Sequence, residues 1–289
     1  MRAIPLLIAS FFSIALPTAA GAALPVNTLQ VFVSPSASGG TGPYEKTIVQ
    51  SGTLDDSGSA TGGFSSSGSA TAHVEWGVIK LSGESAGTLN ASARGIFRDD
   101  LVFTAPGIAT GTFGMLTYAV KVDGNLLADS LNLQSSSWRL QADLGGGAFD
   151  INRSAQLFNG NLTFGAPEYR GDAFGTYSAA VSFQFGIAAP LDVELFGLAQ
   201  SAYNISGSSP GHASFDLGHS LYWGGISNVS VGGQPISNYS IASASGTDYS
   251  RSFAPSPVPE PGSAALLSWG LAWLVRQRLR AKGGPATSA

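Results

Sequence analysis

The sequence predicts an all-β protein: an antiparallel β-sandwich of jelly-roll-like type, with an N-terminal signal helix and a short C-terminal transmembrane helix. Three observations carry this. Apolar and polar residues alternate with period two in many segments between residues 24 and 254, and no helical period is visible there. Glycine makes up 38 of the 289 residues and punctuates those segments at short intervals. Charged residues are only 11% of the chain, so serine and threonine fill outward positions that charges usually take.

Four segments follow in order. Arg2 opens a short positive region, residues 4–16 are apolar, and Ala20 and Ala22 form an A-x-A cleavage site. Residues 1–22 therefore read as a signal peptide for the Sec translocon, with cleavage after Ala22 or Ala23 fitting equally well. The apolar run is shorter than the roughly 20 residues a permanent anchor helix needs.

Residues 23–254 form the passenger, long enough for one large β unit or two small ones. Residues 34–70 are dense in Gly, Ser and Thr, and read as low-charge edge strands with a loop rather than as a linker or glycosylation target. Residues 72–81 alternate, with Val74, Trp76 and Val78 on one side and His73 and Glu75 on the other. Residues 113–122 lead into Asp123-Gly124, a type I′ turn signal, and then Leu126-Leu127. Residues 137–144 and 179–187 alternate, and residues 191–196 continue after a break at Ala189-Pro190. The last third reads as a ladder: residues 213–217 and 220–223, a break at Gly224-Gly225, residues 226–231, a turn at 232–235, then residues 239–244. No fixed-period repeat marks a solenoid.

Composition bounds the chemistry. Cysteine is absent, which removes disulfides, thiolate metal sites and cysteine nucleophiles. The net charge of the chain is −4. Residues 24–254 hold 9 basic and 17 acidic residues, so the passenger is at −8 and disfavours nucleic acid and other polyanions. No Walker loop, Rossmann fingerprint or nucleophile elbow occurs, so no cofactor is implied.

Each polar cluster has a bland reading beside a chemical one. His212, Asp216 and His219 would share a face on a helix and could hold zinc. The flanking Gly211, Phe215, Leu217 and Gly218 favour a strand, where 212 and 216 point one way and 219 the other. Asp192 and Glu194 share a strand face within the range of glycosidase carboxylates, but read as the wet side of a sheet. Asp55-Asp56 and Asp99-Asp100 could help bind calcium, and read as turn residues. Tyr222 and Trp223, beside Gly224-Gly225, are candidates for stacking on a sugar. Adjacent strand residues face opposite ways, so at most one belongs to the core.

The C-terminus carries the strongest signal. Pro255, Pro257, Pro259 and Pro261 alternate and favour an extended polyproline II spacer, residues 255–261. Residues 263–275 are an apolar, helix-like run with Trp269 and Trp273 on one face. Arg276, Arg278, Arg280 and Lys282 follow as a membrane-stop basic cluster, and the whole of residues 262–289 reads as a short transmembrane helix with a basic tail. Pro259-Glu260-Pro261, a short apolar helix and an arginine cluster near the chain end, on a chain that also has a signal peptide, resemble the PEP-CTERM sorting tail. Such tails occur on exported proteins of Gram-negative bacteria. The resemblance covers roughly the last 35 residues of the 289. It implies processing by exosortase, a membrane-embedded cysteine protease-transpeptidase, and a place in the envelope or extracellular matrix beside exopolysaccharide. It implies no catalytic role for the passenger.

Overall fold

The computed structural model describes residues 28–37, 45–49, 52–62, 66–129, 134–147, 149–165, 174–201 and 211–255. The expected signal peptide with Ala20 and Ala22, the expected sorting motif Pro259-Glu260-Pro261 and the basic cluster Arg276, Arg278, Arg280 and Lys282 lie outside them. All regular structure among the described residues is β. The strands are β1 (Thr28–Ala37), β2 (Glu45–Val49), β3 (Leu54–Gly62), β4 (Ser66–Glu75), β5 (Val78–Ala86), β6 (Leu89–Thr104), β7 (Phe113–Val122) and β8 (Asn125–Ala128). They continue with β9 (Ser135–Leu144), β10 (Ile151–Phe158), β11 (Asn161–Phe164), β12 (Gly175–Gln184), β13 (Ala188–Gln200), β14 (His212–Val231), β15 (Gln234–Pro235) and β16 (Ser240–Ser243).

They form two antiparallel sheets. The first runs β11-β10-β9-β13-β6-β1-β2, with β16 on the far end of β6. The second runs β12-β7-β14-β5-β4-β3, with β8 and β15 also on β14. The sheets bury their inner faces against each other in one apolar cluster that includes Leu29, Val74, Phe97, Leu140, Val193 and Leu217. Phe215 of β14 shows how close they come. Its ring fills the space where Gly83 of β5 and Gly197 of β13 have no side chain: a Cβ would meet ring atoms at 2.2 Å and 2.4 Å. Gly83 is its strand neighbour and Gly197 lies on the opposite sheet.

Several expectations hold. β9 contains residues 137–144, and β12 covers residues 179–184 of the segment 179–187, as read from their alternation. Gly232 and Gly233 both take positive φ, 56° and 81°, and close the hairpin that pairs Val231 with Gln234. Of residues 34–70, residues 54–62 form β3 at the edge of the second sheet and pair with β4, residues 45–49 form β2 at the edge of the first sheet, and residues 34–37 end β1.

Others are corrected. Residues 72–81 are a hairpin: Glu75 pairs with Val78 around Trp76-Gly77, and Gly77 takes φ of 80°. Asp123-Gly124 does not reverse the chain. β7 and β8 both lie along β14, whose length holds them in succession on one side. Gly224-Gly225 is a bulge inside β14, where Gly225 takes φ of 94° and the register shifts against β7. Pro190 lies within β13 opposite Asp100 and interrupts nothing. Asp55-Asp56 and Asp99-Asp100 belong to β3 and β6 rather than to turns.

Candidate functional site

Residues 245–253, which follow the last strand, are part of the fold. After β16 the chain crosses from the first sheet to the second. Asp99, 2% exposed on the inner face of β6, accepts from the Ser245 amide at 3.1 Å and from the Ser245 hydroxyl. Tyr249 is fully buried between Phe97 of the first sheet and Trp223 of the second, at ring distances of 6.5 Å and 5.4 Å. Burial and the nearby Asp99 carboxylate push its hydroxyl far above the usual tyrosine range. The Phe253 amide donates to the Trp223 carbonyl at 2.9 Å, and its ring covers Gly77, where a Cβ would stand 2.8 Å from it. Asp248 stiffens the crossing by accepting from the Ser250 amide at 3.1 Å and hydroxyl at 2.6 Å, which lowers its carboxyl.

Trp223 and Tyr222 face opposite ways, as strand geometry requires. Trp223 is in the core, with 0% exposure and its ring stacked on Tyr118 at 5.5 Å. Tyr222 is on the outer face of the second sheet, yet only 9% exposed. Burial, with Asp123 second, raises its hydroxyl. Neither residue presents an open ring, so the sugar-stacking expectation finds no exposed platform at Tyr222 or Trp223.

Asp192 and Glu194 share the outer face of β13, as expected, but that face is not simply wet. Glu194 is 5% exposed and accepts from Arg94 at 2.5 Å and Arg139 at 3.2 Å. Asp192 accepts from Arg98 at 2.5 Å. The guanidinium groups of Arg94 and Arg139 lie over the rings of Phe32 and Phe196, at 5.2 Å and 5.8 Å. Burial raises the Asp192 carboxyl even though Arg98 pulls it down. Both carboxylates are committed to ion pairs that tie β6, β9 and β13 together.

His212 and Asp216 both lie on the outer face of β14, as the strand reading expects. His212 pairs with Glu84 at 2.9 Å, while Asp216 accepts from the Gly218 amide at 2.8 Å. The side chain of His219 lies outside the described ones. Among the described residues no group of three His, Cys, Asp or Glu side chains is placed to hold a metal ion.

A groove of about 550 Å³ opens on the outer face of the second sheet, across β3, β4, β5 and β14. Cross-strand register builds it in two rows. Ser57, Thr71, Ser82 and Asp216 stand in one, and Asp55, His73 and Lys80 in the next. Thr71 and Ser82 hydroxyls share a hydrogen bond of 2.6 Å, and His73 Nδ1 lies 2.6 Å from Asp55. The groove ends at Gly218, where β14 bulges: Leu217 pairs with Leu81 but Leu221 pairs with Ile79.

No family model and no curated protein matches this chain.

Sequence reasoning missed the groove. Its residues come from strands far apart in the chain, and only the register brings them together. One local signal was present: Thr71 and His73 alternate with Ala70, Ala72 and Val74, which marks them as one polar face of β4.

Proposed function

We propose that this protein is an exported envelope or extracellular-matrix protein, sorted by exosortase, whose passenger has a structural or adhesive rather than a catalytic role. The observation that carries the reading is the order of its C-terminal parts: Pro259-Glu260-Pro261, a short apolar run, then Arg276, Arg278, Arg280 and Lys282. The signal peptide ending near Ala20 and Ala22 supports it, because a sorting tail needs export first. In this reading the Sec translocon exports the chain, the apolar helix lodges in the inner membrane, and the basic cluster holds it there. Exosortase then recognises the motif, and cleavage transfers or releases the passenger.

The passenger suits such a role. It is an antiparallel two-sheet fold, and a jelly-roll-like sandwich is the finer form we propose for it. Its strand-borne carboxylates Asp192 and Glu194 are engaged by arginines. The folded domain holds the chain as far as Phe253. An extended spacer at about 3 Å per residue would set the motif within roughly 20 Å of the domain, so processing would take place close beside a folded passenger.

The test is the intact mass of the protein from membrane and medium fractions, in hosts with and without exosortase. Loss of the segment after the motif only in the first host, abolished when Pro259-Glu260-Pro261 is replaced by alanines, is the expected result. The same mass and location for both forms overturns the sorting role. A second reading, a carbohydrate-binding module, is favoured by one observation, the polar groove across β3, β4, β5 and β14.

A further inference from the structure

We infer that this groove is a binding site for a neutral, polyhydroxylated chain such as an oligosaccharide segment of an uncharged polysaccharide. The inference deepens the reading above, and rests on it only for where the ligand would be met.

Charge balance sets the ligand class. The groove lining holds three carboxylates, Asp55, Asp56 and Asp216, and one ammonium, Lys80. A polyanion would meet all three carboxylates, and the passenger as a whole is at −8. A polycation would meet Lys80, which ends the second row beside the β14 bulge. A ligand with no charge and many hydroxyls faces neither conflict.

Hydrogen-bonding capacity points the same way. Hydroxyls of Ser57, Thr71 and Ser82 donate and accept, Asp216 accepts, and Lys80 donates. A sugar hydroxyl, itself donor and acceptor, can satisfy any of them. The shape is suitable too. The row from Ser57 to Asp216 crosses four strands, about 14 Å at the usual strand spacing. The groove volume of about 550 Å³ is within the range of small-ligand sites. Because the row runs across the strands, the ligand chain would lie at right angles to them, with the β14 bulge at Gly218 as one end-stop.

The experiment is affinity electrophoresis of the full-length protein in a detergent without sugar headgroups. Gels carry a neutral glucan, a neutral galactan, a neutral mannan, a polyuronate or a polyglucosamine. The expected result is retardation by at least one neutral polymer. Asp216→Asn and Lys80→Met should each weaken it at least tenfold, and Thr71→Trp should abolish it by filling the groove. Arg139→Ala, on the opposite sheet, should leave it unchanged. Melting curves confirm that each variant is folded, and Ser82→Trp replaces any that is not. Binding to no neutral polymer overturns the inference. So does binding that the groove variants leave intact, or binding to a charged polymer alone. None of these results depends on exosortase, so the site can fail while the sorting role stands, and the reverse.

Discussion

The indole nitrogen of Trp223 donates to the backbone carbonyl of Tyr249 at 2.8 Å, and this bond fastens the C-terminal crossing segment to the second sheet. The Tyr249 side chain completes the attachment by filling the space between Trp223 and Phe97. Residues 245–253 are thereby held by core residues rather than trailing from the surface.

Tyr249→Ala should cost about 3–5 kcal/mol, the usual range for emptying a fully buried aromatic site. Chemical denaturation measures it. A cost below about 1 kcal/mol would mean that the crossing segment is peripheral to the fold.

Glycine at 83 and 197 is required by the Phe215 ring. Gly83→Ala and Gly197→Ala should each destabilise by about 1–3 kcal/mol through overpacking. Phe215→Leu should recover part of that loss, because the sites share one contact. Equal melting temperatures for Gly83→Ala and the wild type would contradict the packing of the Phe215 ring against Gly83.

Glu194 holds two arginines across three strands. Glu194→Ala leaves both guanidinium groups without their carboxylate, and should cost about 1–3 kcal/mol. The exposed pair Arg251–Asp248, at 3.5 Å, should contribute under about 1 kcal/mol. A double-mutant cycle on Glu194 and Arg94 separates the pair from the packing around it.

Acidity should stabilise the domain. Burial raises the carboxyls of Asp143, Asp192 and Asp100, with Asp150 adding to the effect at Asp143 and Asp99 at Asp100. A carboxyl raised in the folded state holds its proton more tightly there than in the unfolded chain. Its contribution is present below the unfolded value, near 4, and is lost as pH rises through the folded value. Asp248, lowered, acts in the opposite sense but only below about 4. The melting temperature should therefore fall as pH rises above about 4 toward neutral, and Asp143→Asn should reduce that slope. A rising melting temperature over that interval would show the sign to be wrong.

How much was legible in the sequence depended on how far apart the partners lie. Period-two alternation and the glycine pattern determined the β class, because strand faces and tight turns are local properties of the backbone. The turn at Gly232-Gly233 was legible for the same reason. Alternation does not say which face turns inward, so Trp223 and Tyr222 were separated only by the packing of Tyr118 and Tyr249. Nor does it distinguish a glycine that ends a strand from one that bulges it, and only the register of β14 against β7 decided Gly225. Asp99 looked like a turn residue because the Ser245 amide that satisfies it is 146 positions away. Asp192 and Glu194 looked solvated because their arginines lie on other strands, 94 and 100 positions away for Arg98 and Arg94. The groove joins strands by the same non-local register. The sequence by itself determined the class of the fold. Tertiary structure decided which polar groups meet, since cross-strand pairing is set by contacts distant in the chain.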